Sequence, residues 1–153
     1  MKDKDRGRLH CILTATDIFT SEEVDVAMEL IDVALRDPNQ KDYTVHCLAD
    51  DEDRPLGYIC YGCAPMTQGT YDLYWIAVDP QSQNQGIGTR LIDFLENRVK
   101  AIGGRMILVE TSSIPSYDKT QKFYLRKGFR EVARVPDYYF LGNDRVTYCK
   151  SLL

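Results

Sequence analysis

Positive charge is in short supply. Nineteen Lys and Arg stand against 23 Asp and Glu, for a formal net charge of -4 at pH 7. A nucleic-acid partner needs a surplus of Lys and Arg to neutralise phosphates, so this balance argues against one. A cationic small molecule or amine suits it better, although net charge alone does not choose a substrate. Long apolar runs are missing too: none approaches the roughly 18 residues of a membrane span. No second CxxC accompanies Cys60 and Cys63, so a zinc site lacks two ligands. The turn-like "APMTQG" that follows them is not the helix a redox motif requires. The polar start "MKDKDRGRLH" does not read as a signal peptide, and five cysteines is an odd number. Both lead to the expectation of a reducing, cytoplasmic setting.

What is present fits a single domain over residues 1–153, with residues 1–8 expected as a flexible tail. "LHCILTA", residues 9–15, reads as a short strand. Thr20 and Glu23 then form a capping box. Val24, Ala27, Met28, Ile31 and Leu35 mark one face of a helix over Ser21–Arg36. Tyr43–Ala49 and Gly57–Gly62 read as a hairpin across the acidic turn "DDEDRP". "YDLYWIAVDP" is a nearly unbroken apolar strand, which suggests a buried, central one. A helix over Gly86–Ile102, the strand "RMILVET", a helix over Pro115–Lys127 and strands at Phe129–Val135 and Arg145–Leu152 complete the chain. Helix-linked strands in the middle and hairpins at the edges imply an α/β fold with a mixed sheet and helices on both faces.

The stretch "IAVDPQSQNQGIGTRLIDFL" carries the strongest chemical signal. A strand, a Gly-rich turn and a helix N-terminus together make an anion site, because the first-turn amides lack partners and the macrodipole favours negative charge. Three phosphate ligands compete. A nucleoside triphosphate needs Gly-Lys-Ser/Thr, and Gly88-Thr89-Arg90 lacks the Lys. A dinucleotide needs a third Gly where Leu91 stands, although Glu110 lies where a ribose-binding acid would. The third candidate is the pyrophosphate of coenzyme A.

"VDPQSQNQGIGTRLI" resembles motif A of the GCN5-related N-acetyltransferases, with Gln83-x-x-Gly86-x-Gly88 after a strand ending in Val-Asp-Pro. "FYLRKGF", Phe123 to Phe129, resembles that family's second signature. The resemblance covers roughly residues 43–153. It implies a twisted, mostly antiparallel sheet of about seven strands, acetyl-CoA as co-substrate, no metal, and acetyl transfer to an amine. It also implies pantetheine pairing along Ile76, Ala77 and Val78. The pyrophosphate would lie on Gln83, Asn84, Gln85, Gly86, Ile87, Gly88 and Thr89, and Tyr117 stands where many relatives have a CoA-contacting Asn.

Only a neutral amine attacks a thioester, and deprotonating an alkylammonium at pH 7 costs roughly 4.6 kcal/mol. A base within reach is therefore needed. Asp72 and Glu110 compete for that role, each also readable as a structural carboxylate. Tyr124 occupies the position of the family's thiolate-protonating tyrosine. Tyr58, Tyr61, Tyr71, Tyr74, Trp75, Tyr138 and Tyr139 are available for a cation-binding wall, with core burial as the competing reading. Tyr138-Tyr139 resembles the protein N-terminal acetyltransferases of the superfamily. A single helix, Ser21–Arg36, is expected over the acceptor. The first expectation for that acceptor is a small molecule or amino acid. A protein N-terminus or lysine, a non-catalytic acyl-CoA sensor, and more remotely a nucleotide-dependent oxidoreductase stay open. A homodimer through an edge strand is also an option.

Overall fold

The computed structural model describes all 153 residues. The chain begins with two helices, α1 (Asp5–Ala15) and α2 (Ser21–Arg36). Strands β1 (Thr44–Ala49), β2 (Pro55–Cys63) and β3 (Thr70–Val78) follow. Then come α3 (Ile87–Ala101), β4 (Met106–Ser112), α4 (Asp118–Arg126), β5 (Arg130–Phe140) and β6 (Asn143–Ser151). One sheet has the order β1-β2-β3-β4-β6-β5. Every neighbouring pair is antiparallel except β3 and β4. The edge strands are therefore β1 and β5; the last strand, β6, sits inside the sheet.

Six strands form, not seven. The expected first strand is the second half of α1. Leu9, Ile12 and Leu13 lie at i, i+3 and i+4 and are at most 1% exposed. Seven residues with a short apolar run fit either period, and length arbitrates only once the preceding turn is counted. That turn starts at Asp5, whose carboxylate accepts from the Lys2 backbone N–H at 2.7 Å. Residues 5–8, expected in a tail, are thus helical, and Lys2 and Lys4 pair with Asp53 in the β1–β2 turn.

Two cores flank the sheet. On one face α1 and α2 bury Leu9, Ile12, Leu13, Ala27 and Ile31 against Tyr58, Cys60 and Ala77. On the other, α3 and α4 bury Leu91, Ile92, Leu95 and Tyr124 against Ile59, Leu73, Ile107 and Val109. Two helices, not one, cover the first face. The capping box of α2 is formed in full: Thr20 accepts from the Glu23 N–H, and Glu23 accepts from the Thr20 N–H at 2.8 Å.

Candidate functional site

The site begins where the parallel pair stops. Strands β3 and β4 are laddered only from Thr70–Met106 to Leu73–Val109. Beyond that, β3 stays with β2 up to Val78 and β4 stays with β6 up to Ser112. The two centre strands diverge and leave a wedge open in the middle of the sheet. A bulge sits at the fork: Cys60 faces Trp75, whereas Tyr61 faces Leu73, leaving Tyr74 as the extra residue. A bulge reverses which side chains face which core. Accordingly Tyr71 and Leu73 pack with α3, but after the bulge Trp75 and Ala77 pack with α1 and α2, and Ile76 and Val78 return to the α3 side.

The ladder also fixes which peptide groups are free. Asp79 donates its N–H to the Leu56 carbonyl at 2.8 Å. In an antiparallel pair bonded positions alternate, so Ala77 and Trp75 also turn their peptide groups to β2. Ile76 and Val78 turn theirs into the wedge. Of the three residues expected along a pantetheine arm, Ala77 is the one whose peptide groups this phase directs to its register partner Tyr58 rather than into the wedge.

The Gly-rich turn stands at the end of this open edge. Asn84 and Gly86 both have left-handed backbone, at φ 61° and 79°. The first α3 amide with a backbone partner is Arg90, which donates to the Gly86 carbonyl at 2.9 Å. The amides of Asn84, Gln85, Gly86, Ile87, Gly88 and Thr89 make no backbone hydrogen bond. Such consecutive free N–H groups at a helix N-terminus form an anion-binding nest. The N–H of Gln83 is spent on the Pro80 carbonyl, so Gln83 reaches a ligand only through its side chain. The two glycines differ. A Cβ on Gly86 would meet nothing within 4 Å, so its need is the positive φ. A Cβ on Gly88 would lie 3.4 Å from the Phe123 ring, at ordinary van der Waals contact, so packing against α4 would admit one. Buried Asp79 steadies the turn from below, accepting from Gln81 N–H at 3.2 Å and pairing with Arg8 of α1.

A cavity of about 840 Å³ fills the wedge and the space under α2. It brings Asp72, Glu110, Ile76, Tyr117 and Tyr124 together. Asp72 and Leu108 are register partners, which puts Asp72 and Glu110 close on neighbouring strands. Burial, with the Glu110 charge added, raises the Asp72 carboxyl above the usual carboxylate range. Glu110 is half exposed and lies 3.6 Å from the Arg145 guanidinium. The Tyr124 ring is 3% exposed, wedged among Phe123, Phe129 and Tyr148, and burial pushes its phenol well upward. It keeps its proton throughout the physiological range. Burial raises Tyr117 to about 12, with contributions from Glu23 and Tyr139. Its neighbours are thus acceptor-side groups rather than the turn that Asn84–Thr89 form.

Of the seven aromatics expected in an acceptor wall, Tyr74, Trp75 and Tyr139 line the cavity. Tyr58 and Tyr61 are core residues, Tyr71 packs against the α3 core, and Tyr138 stacks under Arg145. Sequence reading missed Phe19, Glu22 and Glu23 at the start of α2, and Thr111, whose buried hydroxyl has no partner. The capping box was a usable signal for the first group, since it fixes where α2 starts and which side chains its first turn presents.

An acetyltransferase (GNAT) domain model matches residues 42–131. The chain belongs to the GNAT acetyltransferases. A solved GNAT-family protein of Desulfovibrio desulfuricans is 38% identical, with a TM-score of 0.91, covering 99% of this chain and 94% of that one. An uncharacterised N-acetyltransferase of Methanocaldococcus jannaschii is 26% identical over 142 residues, 87% of this chain and 88% of that protein. An aminoglycoside 6'-N-acetyltransferase solved with coenzyme A shares the fold at a TM-score of 0.73 and 18% identity, covering 97% and 91%. This GNAT chain is an N-acetyltransferase. Its fold is the mixed, mostly antiparallel sheet that the two motifs implied. No helix is long and apolar enough to cross a membrane.

Proposed function

We propose that the protein transfers the acetyl group of acetyl-CoA to a primary amine of a small molecule by direct attack on the thioester. The observation that carries this reading is the continuity of one surface. The free peptide groups of Ile76 and Val78 lead from the nest at Asn84–Thr89 into the cavity that holds Asp72 and Tyr124. The nest suits a pyrophosphate, and the unpaired β3 edge suits the amides of a pantetheine arm. The carboxylate–phenol end suits acyl transfer. The cavity volume falls in the range of small-molecule sites.

Asp72 is the base in this reading. Its raised affinity for protons matches it better to an ammonium than an ordinary carboxylate would be. Glu110 shares its charge with Arg145 and helps hold Asp72 in that state. The ammonium gives one of its three protons to Asp72, and the neutral nitrogen then bonds to the acetyl carbon as the carbon–sulfur bond breaks. A second proton passes from nitrogen to the departing thiolate, and the third stays on the amide product. A wedge-facing N–H of β3 near Ile76 serves the developing oxyanion. Tyr124 binds its proton too tightly to release it readily, so it acts first as a hydrogen-bond donor to the departing sulfur.

The test is thiol release from acetyl-CoA with a broad panel of amines, run beside Asp72→Asn and Tyr124→Phe. Turnover that both substitutions depress supports the reading. Tight CoA binding without turnover on small amines, but with turnover on peptides, moves the acceptor to a protein.

A further inference from the structure

The acceptor half of the cavity carries charge of one sign on two separate walls. Glu22 and Glu23 stand on the first turn of α2; Asp72 and Glu110 stand on the sheet. No lysine, arginine or histidine lines the cavity. Arg145 sits outside the lining, 3.6 Å from Glu110 and stacked 4.4 Å from the Tyr138 ring. One Glu23 oxygen caps α2 through the Thr20 N–H, which leaves the other free. Phe19, Tyr74, Trp75 and Tyr139 supply aromatic surface between the two walls. The Thr111 hydroxyl, buried with no hydrogen-bond partner, lines the same cavity. Buried polar groups are nearly always satisfied; this orphan shares the strand face of Val109 and so lies on the Tyr124 side of the cavity, across the sheet from Glu110.

Removing one proton from one amine requires a single base. The carboxylates on α2 are surplus to that chemistry. The first turn of α2 accommodates them, and across the cavity they face Asp72 and Glu110, so together the two walls favour an entering cation. We propose that the acceptor is a small dication or polycation without a carboxylate, such as a linear diamine or polyamine. One amine is delivered to Asp72. A second ammonium is held by Glu23 and Glu22 against the Tyr139 face, where carboxylate and aromatic quadrupole attract it together. An amino-acid acceptor would bring its own carboxylate into this field with no cation to receive it, and is rejected. The inference rests on the proposed acetyl transfer and narrows its acceptor.

The test compares kcat/KM with acetyl-CoA for a series of linear diamines, the matching monoamines and the matching ω-amino acids. Diamines are expected to exceed monoamines by about tenfold, within the usual reach of a specificity contact. Monoamines are expected in turn to exceed ω-amino acids. Glu23→Gln keeps a capping side chain, and is expected to shrink the diamine-to-monoamine ratio several-fold; a thermal melt checks that α2 persists. An ω-amino acid used as well as a diamine overturns the inference. So does a ratio near one, or a ratio that Glu23→Gln leaves untouched in a folded protein. In each of those cases acetyl transfer to amines stands. Absence of thiol release with every amine overturns the transfer reading itself, and this inference with it.

Discussion

Asp72 and Glu110 have the same charge and face the same cavity, yet their surroundings separate them. Burial and the neighbouring Glu110 charge raise Asp72, whereas Glu110 has Arg145 beside it and half its side chain in solvent. Asp72→Asn is therefore expected to lower kcat/KM by roughly 10²- to 10⁴-fold, the usual worth of a general base. Glu110→Gln should cost far less. The sign of the pH dependence follows from the raised carboxyl. Asp72 works as its carboxylate, so activity falls as pH drops through that elevated value, and the acidic limb vanishes in Asp72→Asn. An alkylamine acceptor titrates at about 10.4, well above that window, and an unchanged acidic limb in the variant would assign it elsewhere. Tyr124→Phe removes only a hydroxyl from a packed ring. It should lower kcat by about 10- to 100-fold with little change in KM, the pattern of a contact made mainly in the transition state. These three residues could be read from motif spacing. The capping box offered a signal for Glu22 and Glu23; Thr111 had none, because only tertiary packing leaves its hydroxyl buried without a partner. The turn of the Ala77 peptide groups toward β2 depends on ladder phase and on the Tyr74 bulge, and no local pattern in "YDLYWIAV" marks either.

At the scale of elements, α2, α3 and the strands were legible because each shows a long, clean period or a cap. Helix α1 was not: its buried residues are few, and its exposed face is as polar as a tail. The Gly-rich turn was legible as an anion site, but its two glycines do different work. Gly86→Ala forces a Cβ into left-handed backbone and should cost about 1 kcal/mol of stability. Gly88→Ala meets only the edge of the Phe123 ring at van der Waals distance and gains helix propensity, so its melting temperature should barely move. If the Gly88 amide must closely approach a phosphate, CoA affinity falls in Gly88→Ala while stability holds; isothermal titration beside a melt separates the two. Intact affinity there would mean that no close phosphate approach depends on Gly88. The capping box offers a second check on α2. Thr20→Ala should cost about 1 kcal/mol. It should also loosen Glu23, since the Thr20 N–H and Glu23 carboxylate hold one another.

The whole molecule is one sheet opened in its middle, with a core on each side that holds the halves apart. The wedge exists because β3 is committed to β2 and β4 to β6 after their shared ladder ends at Leu73 and Val109. Each keeps its outer partner while its inner edge loses the other strand. The open peptide groups of Ile76, Val78 and the Asn84–Thr89 turn therefore remain available to a ligand that bridges them. Such a ligand binds the folded state alone. At a hundred times its Kd it adds about 2.7 kcal/mol. In a chain of this size that corresponds to a melting temperature raised by about 5 to 10 °C. Coenzyme A should produce this shift and slow hydrogen exchange first at Asn84–Thr89, then at Ile76 and Val78. The β5 edge strand, exposed along its whole length, should exchange as before. A stabilisation spread evenly over the sheet, with no excess at the turn and the β3 edge, would mean that the ligand sits elsewhere. Adenosine bisphosphate alone should protect the turn but not Ile76 and Val78, because it lacks the arm that reaches them.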